Sequence, residues 1–251
     1  MSLCQPSNHF SCGACCGVFN LKLSQEEIHK LLRLRSNTLP KTSPFSRLSA
    51  LQYRDRQEKE EEKIPRHNEE IYVCPFLGFL DDREKKIGCL IHPYRTGVED
   101  SQNCSFYGAS ICQAYACPNM DSPHSQLWEN FFQEQNWDYF TYSQIAGDPI
   151  SLRYIEDFFL QIRIGVAQML QEHREIVLQI LKEKVTSNNK SLLKQTSFDS
   201  DMQAHQKKDT LAKLVGRVQL DKTTVEKLQR IHREGFFRLN NIQAKSENRA
   251  T

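Results

Sequence analysis

The stretch FSCGACCG, residues 10–17, places three cysteines within five residues, at Cys12, Cys15 and Cys16. Thiolates are soft metal ligands, so clustered cysteines in a chain without secretory features predict a metal site. Two glycines lie among these thiols, and glycine adopts backbone conformations that other residues resist. Such a loop can fold its thiols around one centre. Three thiols do not complete a tetrahedral site, so we expect further ligands elsewhere in the chain.

Composition narrows the class of protein. The chain has 251 residues with 33 basic and 31 acidic side chains, a net charge of +2. That balance gives no electrostatic case for binding nucleic acid or an anionic membrane surface. No apolar run approaches the roughly 18 residues that span a bilayer, and the N-terminus lacks the features of a signal peptide. We therefore expect a cytoplasmic protein with reduced thiols, whose partner or substrate the sequence does not identify.

A second group of cysteines follows at Cys74, Cys89, Cys104, Cys112 and Cys117. The apolar flanks of Cys74 and Cys89 predict a small hairpin that brings these two thiols together. Cys74 and Cys117 are each followed by proline, a pairing that recurs at iron–sulfur ligands. The cofactor is predicted to be an iron–sulfur cluster or zinc.

The predicted metal ligands are therefore eight of the nine cysteines. Three further side chains stay open as ligands: His9, three residues before the first thiol, His92, three residues after Cys89, and Cys4. His92 is also compatible with a hydrogen-bonded core histidine. The predicted ligand set is Cys12, Cys15, Cys16, Cys74, Cys89, Cys104, Cys112 and Cys117.

Four segments resemble the YkgJ-type cysteine cluster family, which is also described as a CxxCxxCC zinc- or iron-chelating domain. They are CGACC (12–16), CPFL (74–77), CLIHPYR (89–95) and CQAY (112–115). The resemblance covers about residues 9–118. The family's first cysteine aligns with His9, so that ligand is His9, Cys4 or absent. The resemblance implies metal chelation by Cys12, Cys15, Cys16, Cys74, Cys89 and Cys112.

Three functions are compatible with this pattern, and whether the protein is an enzyme stays open. The first is an iron–sulfur protein with a redox or catalytic role, because eight cysteines exceed the need of one zinc ion. The second is a structural zinc module whose helical half binds another protein; two zinc sites would account for the same thiols. The third follows from a more distant similarity to flagellin lysine N-methylases, which use S-adenosylmethionine, but the chain has no glycine-rich cofactor loop.

The predicted fold is mainly α with a small irregular α+β cysteine-rich metal-binding domain. That domain covers residues 1–120, with 36–70 as a charged insertion or linker. Residues 18–23 alternate like a short strand, and Ser24 to Glu27 has the pattern of a helix capping box. Residues 121–251 form a helical region with a polar loop near 186–209. Apolar residues repeat at helical spacing from about residue 151 to 185, with a break near Gly165 or His173.

Overall fold

The computed structural model describes residues 2–40, 43–191 and 210–247. They form a mainly helical chain with one small antiparallel sheet, which confirms the predicted fold class. The strands are β1 (Leu77–Phe79) and β2 (Ile87–Cys89). The α-helices are α1 (Gln25–Thr38), α2 (Arg47–Glu61), α3 (Pro93–Thr96), α4 (Gly108–Ala114), α5 (Ser125–Gln133), α6 (Tyr139–Ala146), α7 (Pro149–Gln161), α8 (Val166–Glu172), α9 (Arg174–Ser191), α10 (Thr210–Val218) and α11 (Lys222–Glu247). None of the described helices is long and apolar enough to cross a membrane.

The chain divides into two compact units, Met1–Gly147 and Asp148–Thr251. The sequence analysis placed this division at residue 120, but α5 and α6 belong to the first unit. The Tyr142 hydroxyl donates to the Leu3 carbonyl at 2.6 Å, and the Gly13 amide donates to Ser143 Oγ at 3.0 Å. These bonds attach α6 to the cysteine loop, because α6 supplies polar partners that the loop backbone lacks.

Residues 18–23 do not form the predicted strand. They begin with a 3₁₀ turn, Val18–Asn20, and Leu21 makes only an isolated bridge to Arg66. The cause lies in the buried Asn20 side chain, whose amide donates to the carbonyls of residues 68 and 71 at 2.8 and 3.1 Å. The predicted capping box at the start of α1 is confirmed, with Ser24 and Glu27 bonding each other's backbone amides.

Residues 36–70, predicted as a charged insertion or linker, contain the end of α1 and all of α2. One face of α2 is buried, and it consists of Ala50, Tyr53, Gln57 and Glu61. Glu61 forms an ion pair with Arg35, whose side chain is fully buried. A buried carboxylate and a buried guanidinium are tolerated here because each is the other's partner.

The predicted hairpin is confirmed. Leu77 of β1 lies opposite Cys89 of β2, and Phe79 lies opposite Ile87. All three residues of β1 are buried, and in β2 Ile87 is buried while the next two residues are partly exposed, so β1 is the inner strand of the hairpin.

The second unit consists of α7 to α11. The predicted long helical segment is broken at both of the expected places, since α8 begins after Gly165 and ends before His173. Its interior is apolar and aromatic, with Ile155, Phe158, Phe159 and Ile180 fully buried. Of the polar loop predicted near 186–209, residues 186–191 are the end of α9, and 192–209 lie outside the described residues.

Candidate metal centre

All nine cysteines are free thiols. Backbone contacts and electrostatic interactions divide eight of them into two sets, and Cys15 interacts with members of both. The first set, called set A, draws its members from the start of the chain and from the turn after α4. The second set, called set B, joins the cysteine loop to the hairpin and to α4. Set A consists of Cys4, Cys12, Cys15 and Cys117, and set B of Cys16, Cys74, Cys89 and Cys112.

Backbone and sulfur contacts bring set A together. The Cys12 amide donates to the Cys4 carbonyl at 2.9 Å, so the two segments lie side by side. The Cys4 thiol donates to Met120 Sδ at 3.2 Å, and the Met120 amide donates to the Cys117 carbonyl at 2.7 Å. Cys15 follows in the 3₁₀ turn Ala14–Cys16. Cys4 therefore connects the cysteine loop to the turn that carries Cys117.

Set B is centred on the hairpin. The Cys74 amide donates to the Cys16 carbonyl at 2.9 Å, which attaches the start of the hairpin to the cysteine loop. The Leu77 amide donates to the Cys74 carbonyl at 3.5 Å, and Leu77 pairs with Cys89 across the sheet. Cys16 and Cys89 both pack against the buried apolar cluster that contains Cys74.

The fourth thiol of set B is Cys112 of α4. Polar side chains in and just after the 3₁₀ turn Ser101–Cys104 contact this thiol and that of Cys89. Gln102 donates from Nε2 to Cys89 Sγ at 3.8 Å. Ser105 Oγ donates to the Gln102 carbonyl at 2.8 Å and lies 3.7 Å from Cys112 Sγ, a sulfur hydrogen-bond distance. Two neighbouring polar side chains thus contact the thiols of Cys89 and Cys112 and hold them at the same turn.

The two sets meet at the peptide bond between Cys15 and Cys16. The Cys16 thiol donates a hydrogen bond to Cys15, which lowers the pKa of Cys15 to about 7 and raises the pKa of Cys16. Cys15 is exposed, whereas Cys16 is only partly accessible. The adjacent residues therefore present their sulfurs in different environments.

Burial dominates the electrostatics of the other thiols. Together with the charges of Cys15 and Cys117, it raises the pKa of Cys4 to about 11. Burial likewise raises the pKa of Cys74 to about 12 and that of Cys89 to about 11. Thiols with these values are protonated at neutral pH, so a metal ion that binds them must displace their protons.

Tyrosine side chains border both sets. The pKa of Tyr115 is raised to about 12 by burial and then by all four thiols of set A. Burial and the charges of Cys12 and Cys4 raise the pKa of Tyr142 in the same way. The pKa of Tyr107 is raised by burial and by thiols of set B, together with Cys15.

The chemistry of the donors fits a metal, since four thiolates are the ligand set of tetrahedral zinc sites and of iron–sulfur clusters. Within residues 2–40, 43–191 and 210–247, no group of three or more His, Cys, Asp or Glu side chains is arranged so that it is able to hold a metal ion as it stands. Binding would therefore require the thiols of a set to move towards the ion.

Cys104 differs from the other predicted ligands in its contacts, whereas Cys4, which the sequence left open as a ligand, contacts the turn after Cys117. Cys104 packs in the same apolar cluster as Cys74, but its Sγ lies 4.0 Å from the Arg47 carbonyl oxygen. Burial raises the pKa of Cys104, and its charged neighbours are Arg47, Arg54 and Asp100 instead of thiols. The spacing of cysteines along the chain does not predict this difference between Cys104 and Cys4, because their contacts depend on which segments meet in the fold.

Both candidate histidines lie at the surface. His9 is exposed, and its backbone amide donates to Ser7 Oγ at 3.0 Å. His92 is exposed at the start of α3, where its Nδ1 accepts from the Tyr94 amide at 3.2 Å. His92 is therefore a helix N-cap and not the buried core histidine that the sequence also allowed.

A buried polar group behind the hairpin was not predicted. Arg35 donates from Nη1 to the Cys74 carbonyl at 3.1 Å and from Nε to Glu61 Oε1 at 2.8 Å. The Tyr53 hydroxyl donates to the Pro75 carbonyl at 3.0 Å, and Gln57 donates to Glu61 at 2.9 Å. These side chains fix the backbone that carries one thiol of set B. The apolar positions of the sequence carry no signal for them, because the contacts are polar.

Comparisons with protein-family models, with curated proteins and with solved structures find no match for this chain. The resemblance to YkgJ-type cluster proteins stays a prediction from the cysteine motifs.

Proposed function

We propose that this protein binds metal through the cysteines of its first unit and that the metal is part of an iron–sulfur centre with a redox or catalytic role. The observation that carries the proposal is that eight thiols from separate chain segments, between residues 4 and 117, lie near enough to interact with one another. Soft thiolates select zinc and iron–sulfur clusters. We place the protein in the cytoplasm, where such thiols are kept reduced.

The positions of the two Cys-Pro pairs favour iron–sulfur chemistry. Cys117, followed by Pro118, belongs to set A, and Cys74, followed by Pro75, belongs to set B. Each set therefore has one ligand of the type that ends the bacterial ferredoxin motif. A bound cluster would supply one-electron chemistry, while the surrounding tyrosines would limit the access of water. The motif resemblance to YkgJ-type proteins points in the same direction.

A structural zinc module is the second candidate. The division of the thiols into sets of four favours it, because four thiolates close a tetrahedral zinc site. In that case the metal contributes folding free energy and performs no reaction, and the helical second unit would bind a protein partner.

Metal analysis with an absorption spectrum, on protein purified without oxygen, tests both candidates. Iron together with acid-labile sulfide and a broad visible absorption band supports the iron–sulfur proposal. Colourless protein that contains zinc supports the structural module instead. Protein that contains neither metal, and that takes up neither after reduction and reconstitution, would contradict the proposed function.

A further inference from the structure

The two thiol sets are connected by different parts of the backbone. Set A depends on the contact between Cys4 and Cys12 and on the turn after Cys117, where Met120 contacts the Cys4 thiol. Set B depends on the hairpin and on the polar contacts of Gln102 and Ser105. The two scaffolds meet at the cysteine loop, where Ser11 Oγ donates to the Ile87 carbonyl at 2.6 Å and accepts from the Ile87 amide at 2.8 Å. Beyond this shared loop, the two sets depend on different segments of the chain.

The junction of the sets also argues against one shared centre. Cys15 and Cys16 are consecutive, and the Cys16 carbonyl accepts the Cys74 amide at 2.9 Å, which directs this residue towards the hairpin. Cys15 lies on the exposed side and interacts with Cys12 and Cys117, and its thiol also interacts with Cys16 and Cys89 of set B, so the two centres would be direct neighbours. Consecutive residues that belong to different scaffolds are suited to ligate two neighbouring centres.

We propose that sets A and B each bind their own metal centre through four thiolates, so that the chain carries two centres. This inference rests on the proposed metal-binding function and extends it. It assigns a ligand role to Cys4, which lies outside the motif pattern, and to Cys117, and it gives none to Cys104. Each centre forms when the thiols of its set release their protons to solvent and close on the metal as thiolates.

Zinc counting on the full chain tests the inference. Reduced metal-free protein is loaded with Zn²⁺ without oxygen, washed with EDTA, and examined by native mass spectrometry. We expect two zinc ions for the wild type and one for each of Cys4→Ser, Cys117→Ser and Cys112→Ser. The double variant in set A, Cys4→Ser with Cys117→Ser, should also retain one ion. Cys4→Ser combined with Cys112→Ser, which damages both sets, should retain none.

Cys104→Ser is the matched control, because it removes a buried thiol that belongs to neither set, and it should retain two ions. Circular dichroism of each loaded variant establishes that it is folded. The wild-type count does not depend on the folding of any variant. As a second readout, the iron content of protein purified without oxygen should fall by half in the same single variants if the centres are iron–sulfur clusters.

Different outcomes separate the inference from the function on which it rests. One zinc ion in the wild type would overturn the two-centre assignment and leave metal binding intact. Two ions retained in the set A double variant would remove Cys4 and Cys117 from the ligands and overturn it as well. Absence of zinc from the loaded wild type, together with absence of iron from the purified protein, would overturn the proposed function itself.

Discussion

Within the described residues, each unit contains a buried ion pair, and these two pairs stabilise different kinds of structure. In the first unit, the pair of Arg35 and Glu61 joins two helices, and Arg35 also donates to the carbonyl of Cys74, within irregular backbone. In the second unit, Lys184 of α9 lies 3.1 Å from Asp148, and both side chains are 2% exposed. Asp148 caps α7 by accepting from Ser151. The second pair thus joins two helices, whereas the first also fixes a loop that carries a thiol.

The contrast between the two ion pairs reflects what stabilises each unit. The second unit has long helices with aromatic and aliphatic interiors, and its ion pair is an addition to apolar packing. The cysteine-bearing part of the first unit consists of short turns, a two-stranded hairpin and side chain to backbone hydrogen bonds. We infer that this part gains stability from a bound metal and that the second unit does not.

Breaking the pair in the first unit should have the largest effect. Arg35→Met leaves the Glu61 carboxylate buried without its partner, which typically costs about 3–5 kcal/mol. It also releases the Cys74 carbonyl, so the zinc content of set B should fall. Urea unfolding and native mass spectrometry measure the two effects. Arg33→Met is the matched control, because Arg33 is half exposed on the same helix and pairs with Glu84 at the surface. An unchanged stability in Arg35→Met would show that the pair is not needed.

The equivalent change in the second unit separates stability from metal binding. Lys184→Met leaves Asp148 buried without its ammonium partner, and we expect a comparable loss of about 3–5 kcal/mol. Metal content should stay at the wild-type value, since neither residue lies in the first unit. Lys182→Met, at an exposed position of α9, serves as the control. If Lys184→Met lowers the metal content of folded protein, the contrast between the two pairs is incorrect.

Removal of the metal tests, without any mutation, whether the first unit depends on metal and the second does not. A ligand present at a hundred times its dissociation constant stabilises the folded state by about 3 kcal/mol. Hydrogen exchange of the full chain, with and without zinc, should show faster exchange around residues 10–17 and 74–92 after removal. Exchange in α7 and α9 should be unchanged. Equal acceleration in both units would contradict the inferred dependence on metal.

The smallest effect on stability is expected at the N-cap of α1. Its hydrogen bonds are local and involve neither the thiols nor the buried ion pairs. Ser24→Ala removes the side-chain acceptor for the Glu27 amide and should cost about 1 kcal/mol. Ser24→Asp keeps a capping oxygen and should restore most of the stability. Thermal unfolding measures both variants, and metal content should not change in either. A loss of metal in Ser24→Ala would mean that α1 positions the thiols more directly than its contacts indicate.

Local chemistry explains what the sequence predicted correctly. The capping pattern at Ser24 and the apolar flanks around Cys74 and Cys89 depend on residues close in the chain, and both structures formed as expected. Helix α2 was missed because half of its buried face is polar: Gln57 and Glu61 are buried only because Arg35 reaches them from another helix. A search for regularly spaced apolar residues does not detect a polar partner such as Arg35 on another helix.

The same reason limits what the sequence predicts about the site. The clustered cysteines in the sequence identified the candidate thiols. Only the fold showed that Cys104 and Cys4 have different neighbours. Cys104 is eight residues from Cys112 and still faces arginine, whereas Cys4 meets the turn after Cys117 from the other end of the unit. Assignment to set A or set B depends on contacts between distant segments, which spacing does not contain.

All nine cysteines lie within the described residues, and among them only Cys15 has an exposed side chain. A thiol-reactive reagent, or oxygen during storage, would meet this sulfur first. Because its neighbour in the chain belongs to the other set, a single adduct there would disturb both sets at once. If the proposed metal sites are present, preparations handled in air would then lose metal from both sets, and the order in which alkylating agents label the nine sulfurs would record whether a sample was intact when it was measured.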